Sequence, residues 1–374
     1  MTPSAASVRP AEGAVLDRRT LNRSLLSRQV LLERSEAPAV AVVERLVGMQ
    51  AQVPLDPYVG LWSRLAAFDT AGLGERLLDR ELVRMTLMRT TLHLVSARDA
   101  VRLRPLLQPV VERAFASSPF ARRLAGLELG PVLTRGTELV EQEPRSTAEL
   151  ARALGEEWPG CDPTALAYAV RSLVPLVQVT PRGVWGRTLQ PKMTTLATWV
   201  GGRPAAALTV EQLVLRYLRA FGPASAADVR TWSSLRDVRP VLARLAPELR
   251  SYRDEAGREL YDVCDGVFPD PSTPAPVRFL PQFDNLFLSH ADRSRVMTDV
   301  RWDASFARQG TLFVDGFLGG AWSLGETRGQ AMLTVELRTR TSPAERRNVK
   351  LEAEELLVFA AADAAARKLV VRSA

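Results

Sequence analysis

Two glutamines spaced two residues apart, Gln50 and Gln52, are the residues of this sequence whose types and spacing could do chemistry. Residues 40–47 are predicted to form a helix with an apolar face, and the two glutamines follow it closely. Pro54 prevents the helix from continuing, because the residue before a proline avoids helical backbone angles. In an extended segment, residues i and i+2 point to the same side. The spacing therefore predicts two carboxamides side by side, which could hold a water or a polar substrate edge. The plain alternative is a solvated helix end.

Most other catalytic arrangements are missing from the 374 residues. We find no GxSxG turn, phosphate-binding loop, GxGxxG or HExxH motif. The chain has only two cysteines, Cys161 and Cys264, and two histidines, His93 and His290. These are too few for a zinc site or an iron–sulfur cluster. We therefore expect no metal and no cofactor.

The net positive charge and the excess of arginine over lysine are consistent with a polyanionic partner. The formal net charge is +7, and only three of the 49 basic residues are lysines: Lys192, Lys350 and Lys368. Arginine binds phosphate in bidentate geometry, which favours a nucleic acid. GC-rich codon usage would also replace lysine by arginine, and both explanations stay open.

No apolar run approaches the roughly 20 residues of a membrane span. The first 22 residues lack the apolar core of a secretory signal. We expect a cytoplasmic protein with no membrane association.

The chain divides by composition into a leader, three helix-rich segments and a β-rich C-terminal segment. The proline-rich linker at residues 269–276 marks the clearest boundary. The predicted divisions are a disordered leader at 1–19, a winged-helix-like helical segment carrying the two glutamines at 20–135, a second winged helix at 136–204, a third at 205–268, and the C-terminal segment at 269–374.

The third segment shows the clearest order of elements. A capping box at residues 209–212 opens one helix, Ser225 opens a second, and residues 235–245 give a third. Strand-like residues 250–253 and 259–263 flank a turn. Three helices followed by a hairpin are typical of a winged helix, a variant of helix-turn-helix.

The second segment follows a similar order, with a capping box at residues 146–149, a helix after Asp162-Pro163, and a hairpin predicted over residues 177–187. The C-terminal segment is predicted to form strands near residues 279–281, 287–288, 311–314, 319–324 and 332–337, followed by a helix over 352–369. The predicted fold class is α+β; the alternative is a generic α+β domain with hairpins.

Several motifs spread over residues 25–330 resemble the AlkZ-type bacterial winged-helix DNA glycosylases, in the same order along the chain. They are Met49 to Gln52, Pro57 to Leu65, Arg89 to Leu94, Gly183 to Gly186, Leu280 to Asn285 with His290 to Arg293, and Val314 to Gly316.

The resemblance implies a C-shaped arrangement of tandem winged-helix motifs around a basic channel, with a β-rich C-terminal segment. It implies a monofunctional DNA glycosylase that removes bulky or crosslinking N7-alkylguanine adducts, in some members as self-resistance to a DNA-alkylating natural product. The family signature is glutamine or histidine, an aliphatic residue, then aspartate or glutamine. Gln50 and Gln52 match its two polar positions, with Ala51 between them. The expected partner is double-stranded DNA containing alkylated purines, bound by a monomer at the nucleoid.

The chemistry fits neutral amides. Alkylation at N7 makes the purine cationic and a good leaving group, and the transition state resembles an oxocarbenium ion. Hydrolysis then needs mainly a positioned water. Carboxamides can position water but cannot act as strong bases, so we expect activity only on cationic lesions.

Other residues could support the site or the DNA. The candidates for DNA contacts are Arg84, Arg89, His290, Arg293 and Arg295, with Arg301 nearby. His93, flanked by leucines, is expected to be a buried structural histidine rather than a group that contacts phosphate or lesion. Asp284 could support the site or hold a loop.

Two rival functions stay open: a tandem winged-helix transcription regulator without activity, and a structural DNA-binding protein. Regulators usually bind palindromic sites as dimers. Repeats within one chain favour a monomer instead.

Overall fold

The computed structural model of the protein describes residues 9–187, 189–202, 206–298, 300, 306 and 308–373. Its helices in chain order are α1 (Arg18–Arg28), α2 (Ala39–Arg45), α3 (Asp56–Trp62), α4 (Thr70–Leu78), α5 (Ala97–Ala116), α6 (Pro119–Arg123), α7 (Leu129–Gln142), α8 (Thr147–Glu157), α9 (Pro163–Leu173), α10 (Leu196–Val200), α11 (Val210–Phe221), α12 (Ala226–Ser233), α13 (Val238–Leu245), α14 (Asn285–Leu288) and α15 (Pro343–Ala360). Its strands are β1 (Val15–Leu16), β2 (Met49–Gln50), β3 (Leu82–Thr86), β4 (Leu92–Ser96), β5 (Leu176–Gln178), β6 (Met193–Thr195), β7 (Leu249–Asp254), β8 (Glu259–Val263), β9 (Arg278–Leu280), β10 (Gly310–Val314), β11 (Phe317–Thr327), β12 (Gln330–Leu337) and β13 (Ala366–Ser373).

One order of elements occurs three times: a helix, a short extended segment, two helices and two strands. The first copy is α2, β2, α3, α4, β3 and β4; the second starts at α7 and ends at β6; the third starts at α11 and ends at β8. In each copy the short segment pairs with the last strand, through Gln50 and His93, Arg145 and Met193, and Ala224 and Tyr261. The three helices and hairpin that the sequence predicts for the third segment are present there.

The strands form three sheets. The hairpins of the first two copies join into one sheet of order β2-β4-β3-β5-β6, and β1 adds to the hairpin of the third copy as β1-β7-β8. The C-terminal sheet has the order β13-β12-β11-β10-β9, with α15 packed on it. One apolar core contains Val83 of the first copy, Tyr217 of the third and Phe313 of the C-terminal sheet. These segments therefore fold against one another.

Two predicted boundaries need correction. Residues 15–16 form a strand against β7, and Asp17 caps α1, so the predicted disordered leader at 1–19 is wrong over its last residues; residues 1–8 lie outside the described residues. The predicted division at 135/136 falls inside α7.

Three predicted elements also differ, because pairing between distant segments decides them. Residues 176–178 pair with 193–195, and residues 184–187 form turns instead of a strand. Residues 287–288 belong to helix α14. The last helix ends at Ala360, and residues 366–373 form β13, parallel to β12.

A buried ion pair joins the first copy to the C-terminal segment. Arg64 donates to both carboxylate oxygens of Asp284, each at 2.8 Å. Asp56 lies nearby, and its Oδ2 is buried without a hydrogen-bond partner among the described residues. Burial, together with the negative charge of Asp284, raises the pKa of Asp56 to about 7.

We predict that Asp56 makes stability fall as the pH rises. Because its pKa is higher in the folded chain than in the unfolded chain, the folded state holds the proton more tightly, and this advantage is lost from about pH 4 to about pH 7. Asp56→Asn, which stays neutral, should raise the free energy of unfolding by about 1–3 kcal/mol at about pH 8 and by much less at about pH 4. Denaturant titrations at both pH values measure this. The exposed Asp363→Asn is the control, and an equal effect of Asp56→Asn at both pH values would contradict the prediction.

Candidate active site

A glycine turn brings the chain from α2 into β2. Val47 and Gly48 have positive φ angles of 55° and 92°. A Cβ atom on Gly48 would lie 2.5 Å from Val95 Cγ1 and 3.2 Å from the Leu94 carbonyl oxygen. Asn285 donates to the Gly48 carbonyl at 2.6 Å. The turn therefore requires glycine, and the C-terminal segment fixes it in place.

The strand that follows is fixed on both sides of Gln50. Gln50 lies opposite His93 in the β2–β4 pairing. The next residue, Ala51, donates its N–H to the Leu92 carbonyl and accepts a hydrogen bond from Arg84 Nη2, both at 2.7 Å. The backbone that carries the two glutamines is therefore held rigidly.

The two amides lie side by side, as the i and i+2 spacing predicts. Gln50 Nε2 donates to Gln52 Oε1 at 2.8 Å. Gln50 is only 6% exposed, whereas Gln52 is exposed. One amide is thus a buried support and the other faces solvent.

Arg89 contacts the buried member of the pair, Gln50. Its Nη2 donates to Gln50 Oε1 at 2.8 Å, and its Nη1 donates to the Trp232 carbonyl, at the end of α12, at 2.9 Å. Burial lowers the pKa of Arg89 to about 10, which leaves it a cation at neutral pH. The sequence predicts a DNA contact for Arg89, but in the structure these two donors bind groups within the protein.

His93 is a neutral buried group. Its side chain is fully buried, and its Nδ1 lies 2.9 Å from the Thr91 carbonyl, which can only accept, so Nδ1 carries the proton. Its Nε2 faces Arg89 Nη2 at 3.4 Å. Burial and the positive charge of Arg89 lower the pKa of His93 to about 3. This matches the structural histidine that the sequence favours.

Three residues predicted to bind DNA are buried inside the protein, and the prediction is corrected for them. Arg84, His290 and Arg295 are 2%, 3% and 6% exposed. Arg84 donates to the carbonyl of Ala51, between the two glutamines, and Arg295 donates to the Pro223 carbonyl at 2.9 Å. His290 Nδ1 lies 2.7 Å from Ser289 Oγ. Each side chain supports the fold and cannot reach a phosphate in this structure.

The other residues that the sequence proposes for the site or for DNA are Arg293, Arg301 and Asp284. Arg293 is partly buried, with its guanidinium 4.3 Å from the ring centre of Phe287. Arg301 lies outside the described residues. Asp284 pairs with Arg64 and caps α14 through the Leu286 N–H, which is the loop role that the sequence left open.

Sequence reasoning missed a group of exposed arginines on the helix pair that binds Arg89. Arg230 lies on α12, Arg236 in the turn after it and Arg239 on α13, and the Trp232 carbonyl of α12 accepts the hydrogen bond from Arg89. No ion pair links them to a carboxylate within the described part of the chain. The helix-turn-helix order of the third segment was the signal that could have found them.

The described residues contain no evident metal site, disulfide or membrane-spanning helix. No three or more His, Cys, Asp or Glu side chains there are grouped so that they could hold a metal ion. Cys161 and Cys264 are free thiols. Among the described helices, none has the length and apolar character to cross a membrane.

Comparisons with known proteins agree on one family. The model of the family described as "DNA glycosylase AlkZ-like" matches residues 43–359. An interstrand DNA cross-link repair glycosylase of Streptomyces sahachiroi is 29% identical over 252 residues, which are 64% of this chain and 64% of that protein. The chain therefore matches just under two thirds of this relative's length.

A solved structure has the same fold. Streptomyces sahachiroi DNA glycosylase AlkZ superposes with a TM-score of 0.70 at 20% identity, covering 96% of this chain and 100% of that chain. The mixed α+β architecture of this chain agrees with the predicted fold class. The family model covers most of the residues, including both glutamines. The chain belongs to the AlkZ-like DNA glycosylase family.

Proposed function

We propose that the protein is a monofunctional DNA glycosylase that hydrolyses the N-glycosidic bond of bulky or crosslinking N7-alkylguanine in double-stranded DNA. The observation that carries this proposal is the hydrogen-bonded pair Gln50 and Gln52, one buried and one exposed, at the end of a fixed strand. The pair matches both polar positions of the family signature. The transcription-regulator alternative gives these two amides no role.

The reaction balances with water alone. The oxygen of a bound water attacks C1′ of the sugar while the C1′–N9 bond breaks. The electron pair of that bond passes into the purine and neutralises the charge that N7 alkylation created. The attacking water loses one proton to solvent, and an abasic sugar remains. The transition state resembles an oxocarbenium ion.

The groups around the two glutamines cannot activate water strongly, and this restricts the reaction to bases that are already good leaving groups. The amides themselves do not ionise, Arg89 is a cation, and His93 has its pKa lowered to about 3, so it cannot take a proton at neutral pH. None of these groups can activate water strongly. The base must therefore already be a good leaving group, and undamaged purines should be left intact.

Among the described residues, no lysine is placed for a lyase step. Lys192 pairs with Glu149, Lys350 pairs with Glu354, and Lys368 lies on the strand β13. None of these three lysines contacts the two glutamines. A covalent intermediate between lysine and the sugar is therefore not expected, which supports simple hydrolysis.

Surfaces beside the site suit a bulky adduct on DNA. Val53 and Leu55, just after Gln52, are 39% and 41% exposed and offer apolar contact to a large lesion. The exposed arginines of the α12–α13 turn are suited to phosphates. We propose that a monomer acts on chromosomal DNA in the cytoplasm, and that the adducts include interstrand crosslinks, the substrate in the name of its relative.

Removing either amide should abolish most excision. With an oligonucleotide carrying N7-alkylguanine, Gln50→Ala and Gln52→Ala should each lower the single-turnover excision rate by roughly 10²-fold, because each removes part of the group that positions the water. Alkali cleavage at the abasic site measures the rate. Product from wild type should need alkali, and borohydride should trap no covalent complex.

The control for this experiment is Gln190→Ala, an exposed glutamine outside the site. The catalytic assignment is wrong if Gln50→Ala and Gln52→Ala both excise like wild type. The glycosylase proposal itself fails if wild type cuts no lesion from a panel that extends from N7-methylguanine to polycyclic adducts.

The exposed arginines should control affinity rather than chemistry. The double variant Arg230→Ala, Arg236→Ala should weaken DNA binding by about 10-fold and lower the slope of log Kd against log salt by about 1–2, because two phosphate contacts are lost. Fluorescence anisotropy at several salt concentrations measures both quantities. The excision rate on saturating DNA should stay within about threefold of wild type. Arg347→Ala, exposed on α15, is the control; an unchanged Kd for the double variant would exclude this surface from the DNA interface.

A further inference from the structure

Arg89 combines two features that are costly unless they serve a purpose. Arg89 and Thr90 have φ angles of 54° and 56°, a left-handed conformation that residues other than glycine rarely adopt. The partly buried guanidinium bonds to an amide and a carbonyl, and no carboxylate in the described residues perturbs it. Backbone strain and an unpaired cation beside a reactive group are typical of functional positions.

We propose that Arg89 is a positioning residue that sets the direction in which both amides face, an inference that rests on the proposed glycosylase function. A guanidinium has hydrogen-bond donors and no acceptor. The oxygen of Gln50 must therefore face Arg89, which turns its NH2 group toward Gln52. Gln52 must then present its oxygen to Gln50, as the contact of 2.8 Å shows. Arg89 thus fixes the orientation of the Gln50 amide, and Gln50 in turn fixes the orientation of the Gln52 amide.

The direction of the hydrogen bond between the two amides gives each glutamine a different role. An amide oxygen can accept two hydrogen bonds. Gln50 is buried, and its oxygen is bound to Arg89. Gln52 is exposed, and its oxygen, held by Gln50, keeps one lone pair for water. Gln52 is therefore the residue that touches the attacking water, and Gln50 and Arg89 act through it.

Without Arg89 the pair could reverse. Gln52 would then donate its NH2 to Gln50, and its oxygen would leave the position beside the strand. The water would meet N–H groups where it needs an acceptor. The charge-assisted bond from Arg89 is the one contact in the described structure that selects between the two directions.

The test measures how the effect of Arg89→Met depends on the residue at position 52. In the native protein, Arg89→Met should lower the single-turnover excision rate by about 10²-fold, with Kd for lesion DNA changed by less than about threefold. In Gln52→Glu, the carboxylate can only accept, so it fixes the direction of Gln50 from the other side. Adding Arg89→Met to Gln52→Glu should therefore cost less than about threefold.

Gln50→Glu gives an independent readout. The carboxylate pairs with Arg89 but cannot donate, so Gln52 must turn its NH2 inward. Excision should fall by about 10²-fold while the melting temperature is unchanged or raised, a combination that a merely structural role does not produce. Arg89→Lys, still a donor only, should keep excision within about 10-fold of wild type.

Arg104→Met controls for the loss of a buried guanidinium. Arg104 is buried, its pKa is lowered to about 10 by burial, and it donates to the Ser172 carbonyl at 3.1 Å, away from the two glutamines. The proposal for Arg89 is overturned if Arg89→Met costs the same with Gln52 and with Glu at that position. If Arg89→Met does not fold, wild-type excision by Gln50→Glu overturns it equally. Absence of excision by wild type would instead refute the glycosylase function.

Discussion

The pairing of one two-residue strand controls the whole candidate site. The register of β2 against β4 places Gln50 opposite His93 and within reach of Arg89. A slip of one residue would turn the Gln50 side chain to the other face of the sheet. Contacts from three directions prevent this slip: the glycine turn at Gly48, the Asn285 amide that holds the turn, and the Arg84 guanidinium on the next backbone carbonyl. A very short strand can be this well fixed only because distant parts of the chain hold it.

The threefold repeat shows what distinguishes the first copy from the other two. Each copy places a short extended segment between its first and second helices and pairs it with its last strand. In the second and third copies this position is held by Arg145 and Ala224, and the residues two positions later are Thr147 and Ala226, neither of which has an amide side chain. Only the first copy follows the pairing residue with an exposed amide two positions later. The order of elements is common to all three copies, and on the proposed function the chemistry is added at the first of them.

The sequence predicts features that local contacts decide and misses those that distant contacts decide. The capping boxes at Ser146 and Thr209 and the i and i+2 relation of the glutamines involve neighbours along the chain, and the structure contains all of them. Burial of an arginine depends on which segments pack around it. Arg84 and Arg230 look alike in the sequence, yet Arg84 is buried and holds the backbone between the two glutamines, whereas Arg230 is exposed. Residues 366–373 likewise become a strand only because β12 offers an edge.

On the proposed function, the charge on the lesion gives a reason for selectivity. Hydrolysis of an N7-alkylated nucleotide moves a positive charge from base to sugar and creates no new charge, so the site need not supply a carboxylate. Removal of an intact purine would separate charge, leaving an anion on the base and a cation on the sugar. The sugar cation develops in both reactions, and neither the neutral amides nor the Arg89 cation stabilises it strongly, so the charge already present on the base decides which purine can leave. On the proposed mechanism, the lesion provides the driving force and the protein provides a fixed oxygen, so chemistry excludes undamaged DNA without a tight pocket around the base.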